Sequence, residues 1–558
     1  MCKKRIYDAT LFTTIFVTTL MLPILILACT EKKSFWLLLA AVLLPLGAYT
    51  LFAALSRHSG RMVWYGLPFI FFSAFQLVLS YLFGGSVVAA DMFLNIITTN
   101  PSEATELLGN IYPAVIFVAI VYLPLLLLAA LHIRKKIELR NSTRHRMYAI
   151  GAISLVVGCI VLIFGCRGDA WRVLRDEVFP INASYNLGFA VLEKYRIDHY
   201  EQTSEGFLYH AKHQPATDAR EVYVLVIGEA SRAANWQLYG YERATNPLLS
   251  QRDDIVLFRQ ITTQSNTTHK SVPMILSSIH TSEHRELYRR SGILALFNEA
   301  GFTTYFISNQ QPQGAMIDKL ANDANFTIYL DAPHYDAQLA EVMRKALAED
   351  CSRKILFVLH TYGSHYSYRQ RYPREFAVFL PDDDVAIEKA NVDRIRNAYD
   401  NSILYTDYVL NEIITTLDSY PEICSAMLYC ADHGEDLFDT DEGRFLHATP
   451  TVTYYQLHVA SFAWFSDKYK SLFKEKAEAT QYNENVPATT YSVFHTVADM
   501  ASIASLYIDF EASLVSFDYD YTSERYYLDD HNKAVALNEN IGIDSTQRRL
   551  FERAGVEL

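Results

Sequence analysis

Five long apolar runs fill the first 166 residues and constrain the fold of this chain more than any other feature. About 20 consecutive apolar residues are enough to cross a bilayer core as a helix. We place these spans near residues 6–28, 34–55, 63–83, 110–131 and 147–165. The first run is longer than the apolar part of a signal peptide, and four more follow it, so we interpret it as an anchor. The sequence therefore predicts a transmembrane domain of five helices over residues 1–166.

Basic residues alternate between the loops that join these spans. Eleven Lys or Arg lie ahead of span one, between spans two and three, and between spans four and five, whereas the other two loops hold only Lys32 and Lys33. Loops rich in Lys and Arg stay in the cytoplasm. The pattern predicts a cytoplasmic N-terminus and an extracytoplasmic location for everything after span five.

Charge separates the two halves of the chain. The first 166 residues carry 13 Lys or Arg and 6 Asp or Glu, a charge of +7, so the remainder of a chain with net charge −13 carries −20. An acidic soluble half argues against a nucleic-acid partner, which needs a basic face. It is compatible with a metal site, where carboxylates are ligands. The acidic, tyrosine-rich stretch 507–530 is expected to form a solvated face.

The part that follows the membrane half divides into a linker and a catalytic domain. Residues 167–220 mix charges, aromatic residues and short apolar patches, which is typical of amphipathic helices on a membrane surface. From residue 221 onward, apolar strands at 221–228, 354–360 and 425–431 alternate with helical segments such as 292–300 and 394–417. This alternation predicts an α/β domain over 221–558, with a mostly parallel sheet covered by helices on both faces.

Ionisable residues follow three of these strands. Glu229 comes directly after the first strand, His360 ends the second, and Asp432 and His433 follow the third, with His447 fourteen residues further on. Ligands of open parallel sheets bind beyond the carboxyl ends of the strands. Carboxylates and imidazoles suit Zn²⁺ and also Mn²⁺, while the seven cysteines show no CxxC spacing. The sequence therefore predicts a divalent metal site at this edge.

Several longer segments carry a family resemblance. They are NIITTNPSEATELL after span three, VIGEASRAANWQLYGYERATNP, TTHKSVP, NQQPQGAMIDKL, HTYGSHYSYRQRYP, AYDNSILYTDYVL, ADHGEDL and RFLH. With these segments the chain resembles the phosphoethanolamine transferases that modify lipid A, a group that includes the mobile colistin-resistance enzymes. That group belongs to the alkaline phosphatase and sulfatase superfamily. The resemblance covers nearly the whole chain.

The resemblance implies roles for individual residues. Glu229, Asp432 and His433 fall on metal ligands, and Thr268 falls on the nucleophile, which is a further ligand. Four more positions are implied to bind substrate: His365 and His447, which contact the headgroup phosphate or a second metal, and Asn309 and Gln313 near the headgroup. His365 and His447 are also implied to be catalytic, and either could serve as acid or base. Gln313 stands where relatives have Lys, so one contact differs there. The implied cofactor is one or two divalent ions, with Zn²⁺ favoured and Mn²⁺ as the alternative.

The resemblance also implies an activity and a location. Thr268 is expected to take phosphoethanolamine from phosphatidylethanolamine and pass it to a phosphate of lipid A in lipopolysaccharide, at the bacterial inner membrane with the catalytic domain in the periplasm. The added amine would offset surface charge and give resistance to polymyxin and other cationic peptides. Two alternatives stay open: a phosphoethanolamine transferase or a phosphoglycerol transferase that acts on a core sugar or another periplasmic glycan. A sulfatase is disfavoured, because no C/S-x-P-x-R match lies near Thr268.

Overall fold

The computed structural model describes residues 8–30, 34–83, 87–98, 101–165, 170–214, 218–331, 335–440, 443–538 and 543–558, with the side chains of 101–110 left out. The chain forms two compact units. The first contains Met1–Phe93, Thr105–Val191 and Phe438–Phe445, and the second contains Leu94–Ala104, Leu192–Leu437 and Leu446–Leu558.

The apolar runs of the first half form helices. Their bounds are α1 Ala9–Thr30, α2 Phe35–Ala54, α3 Ser59–Tyr65, α4 Leu67–Leu82, α5 Ala90–Thr98, α6 Pro101–Arg134 and α7 Asn141–Gly165. Four stretches, namely α1, α2, the 111–134 part of α6, and α7, are each long and apolar enough to cross a membrane. The pair α3 and α4 makes a fifth span if it is counted as one, although it bends by 62°. The predicted third span is therefore a broken helix. Lys3, Lys4, Arg5, Lys32 and Lys33, which enter the orientation argument, lie outside the described residues.

Glycines let α2 and α7 approach closely. A Cβ added at Gly47 would lie 2.7 Å from Leu155 Cγ, and one added at Gly151 would lie 2.7 Å from Leu51 Cγ. Small residues at helix contacts are a common device in membranes, where lipid tails give no hydrophobic drive for helix association. The two helices thus owe their contact to residues that lack a side chain.

The segment predicted as a linker is helical. It contains α8 Ala170–Glu177, α9 Ile181–Asp198 and α10 Tyr200–Thr203. Within the second unit, the buried carboxylate of Glu193 at the end of α9 accepts hydrogen bonds from Arg196, from the Tyr288 hydroxyl and from Asn532 Nδ2, the last at 2.9 Å. Charged groups bound in this way hold an element firmly. The position of these helices on a membrane surface stays a prediction.

The rest of the chain alternates strands and helices. The strands are β1 Lys212–His213, β2 Glu221–Gly228, β3 Ile255–Leu257, β4 Gln260–Thr262, β5 Thr303–Ser308, β6 Phe326–Tyr329, β7 Lys354–His360, β8 Cys424–Ala431, β9 Asp436–Leu437, β10 Phe445–Leu446, β11 Ser461–Phe465, β12 Pro487–Thr489, β13 Ile503–Ala504, β14 Tyr526–Leu528 and β15 Ala534–Ala536. The helices are α11 Thr268–Ile275, α12 Ile293–Glu299, α13 Met316–Ala321, α14 Ala337–Glu349, α15 Val392–Asp418, α16 Tyr454–Leu457, α17 Asp467–Leu472, α18 Lys474–Tyr482, α19 Ser492–Met500 and α20 Ser545–Ala554.

A seven-stranded sheet forms the centre of the second unit. Its strand order is β3-β11-β8-β2-β7-β5-β6. The strands β8, β2, β7, β5 and β6 pair in parallel, and β11 alone runs against both of its neighbours. The mostly parallel sheet predicted from the sequence is confirmed. The three predicted buried strands are its neighbours β8, β2 and β7.

Burial explains why these strands are apolar throughout. All eight residues of β2 are buried, and so are all eight of β8. Since successive side chains of a strand point to opposite faces, full burial means that both faces of the sheet are covered. One face packs Leu225, Ile227 and Val358 into a cluster with Phe297 of α12 and Phe494 of α19.

The tyrosine-rich stretch is only partly a solvated face. Tyr521 is exposed, whereas Tyr527 and Leu528 are buried. The amide of Leu528 donates to the carbonyl of Gln264 at 2.7 Å, and Lys270 Nζ donates to the carbonyl of Asp529 at 3.1 Å. The end of this stretch therefore supports the loop and helix that carry Thr268.

Candidate active site

The sheet register brings two carboxylates together. In the parallel pair of β2 and β8, Gly228 stands opposite Ala431. Glu229 is the residue after β2, and Asp432 is the residue after β8. Both carboxylates therefore lie side by side at the same edge of the sheet. Each is 0% exposed. The convergence predicted for the carboxyl ends of these strands is thus a consequence of register.

Glu229, Asp432 and His433 form a cluster with the spacing of a metal site. One ligand atom from each residue lies within 4.8 Å of the others, and all three residues are buried. His433 Nε2 lies 3.6 Å from Glu229 Oε1 and 3.4 Å from Asp432 Oδ2. Two carboxylates and one imidazole make a donor set that suits Zn²⁺ or Mn²⁺.

The hydroxyl of Thr268 points into this cluster. Thr268 is the first residue of α11, and its Oγ1 lies 3.0 Å from His433 Nε2 and 3.2 Å from Glu229 Oε2. At the start of a helix, backbone N–H groups are free of intrahelical partners and favour anions. The position therefore combines a nucleophile with a region that stabilises negative charge.

The ring of His433 is held in one tautomer. Its Nδ1 lies 2.9 Å from the carbonyl oxygen of Gly434, which only accepts, so Nδ1 carries the proton. Burial lowers the pKa of His433 to about 4, and the imidazole is therefore neutral. Its Nε2 lone pair is left to face the cluster, as a metal ligand requires.

Asp432 is fixed by three donors. Its Oδ1 accepts from the backbone amides of Ala230 at 3.1 Å and of His433 at 2.7 Å, and its Oδ2 accepts from Ser271 Oγ at 3.1 Å. Ser271 lies one turn after Thr268 on α11. The same helix that presents the nucleophile therefore also orients a carboxylate of the cluster.

The electrostatics of the cluster favour a bound cation. Burial, and then the charge of Asp432, raise the pKa of Glu229 well above its ordinary value. Two ionised carboxylates in a dry site are costly unless a positive charge compensates them. Among the described residues, no Lys or Arg forms an ion pair with Glu229 or Asp432. The donor set therefore fits a divalent ion.

His447 packs against His433 of the cluster. Its ring is oriented by the carboxylate of Glu435, a residue for which the sequence predicted no role. The rings of His447 and His433 have centroids 4.1 Å apart. His447 Nδ1 lies 3.0 Å from Glu435 Oε1, and the other oxygen of Glu435 accepts from the Tyr368 hydroxyl. Burial lowers the pKa of His447 to about 4 and raises the pKa of Glu435 to about 8.

His365 belongs to the same neighbourhood. Its Nδ1 donates to the carbonyl of Tyr366 at 2.6 Å, which leaves Nε2 as an acceptor. Burial, and then the charges of Arg371, His447 and His433, lower the pKa of His365 to about 3. Neutral His365 and His447 thus flank the cluster.

The other predicted residues have partners elsewhere. Asn309 Nδ2 donates to Asp336 Oδ1 at 2.7 Å. Gln313 lines a cavity of about 10 Å³ that is separate from the cluster. His360, at the end of β7, also lines this cavity, and its Nδ1 lies 3.1 Å from Ser308 Oγ. None of these three residues is a member of the cluster of Glu229, Asp432 and His433 in the described part of the chain.

Three contributors were missed at the level of sequence. Gln310 Nε2 donates to Glu229 Oε2 at 3.0 Å, Ser271 binds Asp432, and Glu435 binds His447. Each lies inside a segment that carries the family resemblance, NQQPQGAMIDKL, TTHKSVP or ADHGEDL. Their membership in these segments was the available signal, but it did not show what each side chain binds.

Family models match both halves of the chain. Residues 221–503 match the sulfatase model, and residues 69–188 match the model described as phosphoethanolamine transferase EptA/EptB. The first match spans the whole sheet and every residue of the Glu229 cluster. The second spans part of the membrane helices.

Curated relatives include named transferases. The putative transferase YhbX of Escherichia coli K12 is 32% identical over 250 residues, which is 44% of this chain and 43% of the relative. The phosphatidylethanolamine transferase Mcr-1 of Escherichia coli is 25% identical over 451 residues, which is 76% of this chain and 82% of the relative. The chain spans about half the length of the first relatives it matches.

Solved structures agree on the fold. The integral membrane protein lipooligosaccharide phosphoethanolamine transferase A of Neisseria meningitidis aligns with a TM-score of 0.70 at 21% identity, over 91% of this chain and 96% of that chain. The periplasmic domain of EcEptC from Escherichia coli, in complex with Zn, aligns with a TM-score of 0.53 at 21% identity, over 60% of this chain and 97% of that chain.

Proposed function

Because the chain belongs to the sulfatase family, we propose that it transfers phosphoethanolamine from phosphatidylethanolamine to a phosphate of lipid A. One observation carries the proposal: Thr268 Oγ1 lies 3.0 Å from His433 Nε2 and 3.2 Å from Glu229 Oε2, inside a buried carboxylate–imidazole cluster. The names of the relatives, among them the phosphatidylethanolamine transferase Mcr-1, support the choice of transferred group and donor.

Sulfate-ester hydrolysis is not proposed, even though the family carries the sulfatase name. The nucleophile position holds Thr268, and no C/S-x-P-x-R motif lies near it. A threonine hydroxyl suits direct attack on phosphorus once its proton has an acceptor.

Glu229, Asp432, His433 and Thr268 would hold a divalent ion, with Zn²⁺ favoured and Mn²⁺ as the alternative; the number of ions is one or two. The zinc complex of the EcEptC domain supports this choice. A bound ion would supply Lewis acidity, which lowers the pKa of the Thr268 hydroxyl and offsets phosphate charge.

In the first half-reaction, Thr268 Oγ1 forms a bond to the phosphorus of phosphatidylethanolamine. The bond from phosphorus to the glycerol oxygen breaks, and diacylglycerol leaves with a proton. The hydroxyl proton of Thr268 is directed at Glu229 Oε2, which accepts it and passes it to the leaving glycerol oxygen. Phosphoethanolamine remains esterified to Thr268.

In the second half-reaction, a phosphate oxygen of lipid A attacks this phosphorus, the bond from phosphorus to Thr268 Oγ1 breaks, and Thr268 Oγ1 takes up the proton that the attacking phosphate gives up. His365 and His447 contact the phosphate group: Nε2 of neutral His365 accepts a hydrogen bond from a protonated phosphate oxygen, and the N-terminal amides of α11 stabilise the charge that develops. Because Glu435 orients His447, this imidazole presents its Nε2 to the substrate side.

The cellular setting follows from the lipid nature of both substrates. We place the enzyme in the bacterial inner membrane, with its N-terminus in the cytoplasm and the catalytic unit in the periplasm. The product carries an additional amine, so cationic peptides and polymyxin would bind the modified surface less well.

The test compares lipid A from cells that express the wild type, Thr268→Ala or Thr268→Ser. We expect a mass increase of one phosphoethanolamine with the wild type and none with Thr268→Ala. Thr268→Ser keeps a hydroxyl and is expected to retain part of the modification. Mass spectrometry of lipid A is the measurement, and equal amounts of folded membrane protein are the condition for comparison.

A second assay separates the donor from the acceptor. Purified protein in detergent is given fluorescent phosphatidylethanolamine, and the release of diacylglycerol is followed. Release without lipid A modification would mean that the acceptor is a core sugar or another glycan. Lipid A modification by Thr268→Ala at the wild-type level would remove Thr268 from the mechanism.

A further inference from the structure

We infer that Gln310 is a positioning residue of the metal site: its side-chain amide holds the carboxylate of Glu229 in the orientation that binds a divalent ion. The inference depends on the proposed function only in that Glu229 is taken as a metal ligand.

Both protons of the Gln310 amide are used at the site. Nε2 donates to Glu229 Oε2 at 3.0 Å and to the carbonyl oxygen of Thr361 at 2.9 Å. Gln310 is 6% exposed and Glu229 is 0% exposed, so water does not compete for these contacts. One amide therefore joins the residue after β2, the loop after β5 and the loop after β7.

The chemistry of the partners fixes which way the amide faces. Glu229 Oε2 and the Thr361 carbonyl are both acceptors. If the amide were flipped, its own oxygen would face two other oxygens in a buried place, which is unfavourable. Gln310 can therefore act only as a donor to Glu229.

A chain of buried hydrogen bonds holds the backbone of Gln310. Ser308 Oγ donates to the Gln310 carbonyl at 2.8 Å and accepts from the Gln310 amide at 3.1 Å. Since the single hydroxyl proton is already used, His360 Nδ1, at 3.1 Å, donates to Ser308 Oγ. Burial lowers the pKa of His360 to about 4, so this ring is neutral. A chain of hydrogen bonds thus runs from the end of β7 to the site, through His360, Ser308, Gln310 and Glu229 in that order.

This arrangement also explains why His360 ends a strand beside the site without joining the cluster. Its imidazole binds Ser308, and Ser308 holds the backbone of Gln310, the residue that orients Glu229. Groups that hydrogen-bond a metal ligand set its direction and basicity, and their loss typically weakens metal binding by about 10- to 100-fold. Removal of the Gln310 donor is therefore expected to lower the affinity of the site for metal.

Gln311 offers a matched control. It is the neighbouring glutamine, and its Nε2 donates to the carbonyl of Leu330. Gln310→Met and Gln311→Met make the same chemical change one residue apart. Methionine has the length of glutamine and gives no N–H donor.

The experiment uses the full-length protein in detergent, stripped of metal and titrated with Zn²⁺ against a chromophoric chelator. We expect Gln310→Met to bind Zn²⁺ about 10-fold more weakly than the wild type, and Gln311→Met to bind within about twofold of it. Unfolding temperatures with and without Zn²⁺ are recorded for each variant. The increase that Zn²⁺ gives should shrink in Gln310→Met and be kept in Gln311→Met.

The outcomes separate this inference from the proposed function. Wild-type Zn²⁺ affinity in Gln310→Met, or a fall in unfolding temperature that is equal with and without Zn²⁺, would mean that Gln310 is only structural. If the wild type itself binds neither Zn²⁺ nor Mn²⁺, the metal site of the proposed function fails, and this inference fails with it. Loss of activity in Thr268→Ala bears on the proposed function alone.

Discussion

Burial of ionisable side chains dominates the residue scale. Glu229, Asp432, His433 and Glu435 are each 0% exposed and lie within one short stretch of the sheet edge. In water an ionised carboxylate is stabilised by solvent. In a buried site its ionisation costs free energy unless hydrogen-bond donors or a cation stabilise the charge. Backbone amides and Ser271 serve Asp432, and Gln310 serves Glu229. A cation is the remaining compensation, which is why metal binding is expected to be tight.

Asp323 is a half-buried residue outside the site whose carboxylate oxygen Oδ2 is buried, and it gives a prediction about stability. Burial raises its pKa to about 6, and no described residue makes a hydrogen bond to its Oδ2. A raised folded-state pKa means that ionisation costs stability. The cost is absent below the unfolded value near 4, grows as the pH rises to 6 and is complete above that. Asp323→Asn should therefore be more stable than the wild type at pH 7.5, by up to about 2 kcal/mol.

Thermal unfolding of the full-length protein in detergent, at pH values from 4.5 to 8, measures this difference. The gap between Asp323→Asn and the wild type should close towards pH 4.5. Asp253→Asn removes a carboxylate that is exposed, and it should follow the wild type throughout. A constant gap at all pH values would contradict the explanation by ionisation.

At the scale of elements, the loop after β7 approaches the loop after β2 so closely that only glycine fits. Gly363 has φ of +46°, and a Cβ there would lie 2.8 Å from the Glu229 carbonyl oxygen and 3.1 Å from Glu229 Cβ. Gly363→Ala must therefore displace Glu229. We expect Zn²⁺ affinity to fall by at least about 10-fold and transfer activity to fall with it.

Gly301 separates this clash from backbone strain. It has φ of +84°, and a Cβ there would meet nothing within 4 Å. Both alanine variants carry the cost of a positive φ, which is about 1 kcal/mol. Gly301→Ala should lose that stability and keep wild-type Zn²⁺ affinity. Equal affinity losses in the two variants would argue that general destabilisation, and not contact with Glu229, is the cause.

At the scale of the whole molecule, the apolar helices and the Glu229 cluster belong to different units. We call the first unit the membrane unit and the second the catalytic unit. In the part of the chain that the structure describes, the membrane unit contains four helices that are long and apolar enough to cross a bilayer, or five if the bent pair is one span, and the catalytic unit carries the Glu229 cluster. Because both proposed substrates are lipids, the enzyme needs both units for transfer. Among the described residues, the three clustered candidate metal ligands all lie in the catalytic unit.

Metal removal should therefore destabilise the catalytic unit. A ligand at 100 times its dissociation constant stabilises the folded state by about 2.7 kcal/mol. We expect EDTA to lower the unfolding temperature of the wild type in detergent by about 5 °C, and added Zn²⁺ to restore it. Glu229→Gln removes a ligand charge and should respond much less to either addition. An unfolding temperature that ignores EDTA, in protein shown by elemental analysis to contain metal, would contradict the site.

Much of the fold and of the candidate site could be predicted from local sequence patterns. Apolar runs of about 20 residues form helices, because a helix satisfies its backbone hydrogen bonds within its own segment, as the interior of a bilayer requires. Uniformly apolar segments between helices became β2, β7 and β8, and their ends delivered Glu229, Asp432 and His433 to one edge. These properties depend on neighbours along the chain, which a sequence displays directly.

Tertiary structure decided the partners. Asn309 forms a hydrogen bond with Asp336, and His360 forms one with Ser308. Of the two neighbouring glutamines, Gln310 is the one that donates to Glu229. The bend between α3 and α4 within the third apolar run is equally absent from the hydropathy pattern. Each of these choices depends on the path of a loop and on the register of strands far apart in sequence. The strand pattern predicts which residues reach the edge of the sheet. Which atoms meet there follows from the packing of distant segments, because a hydrogen bond needs its two atoms within about 3 Å of each other.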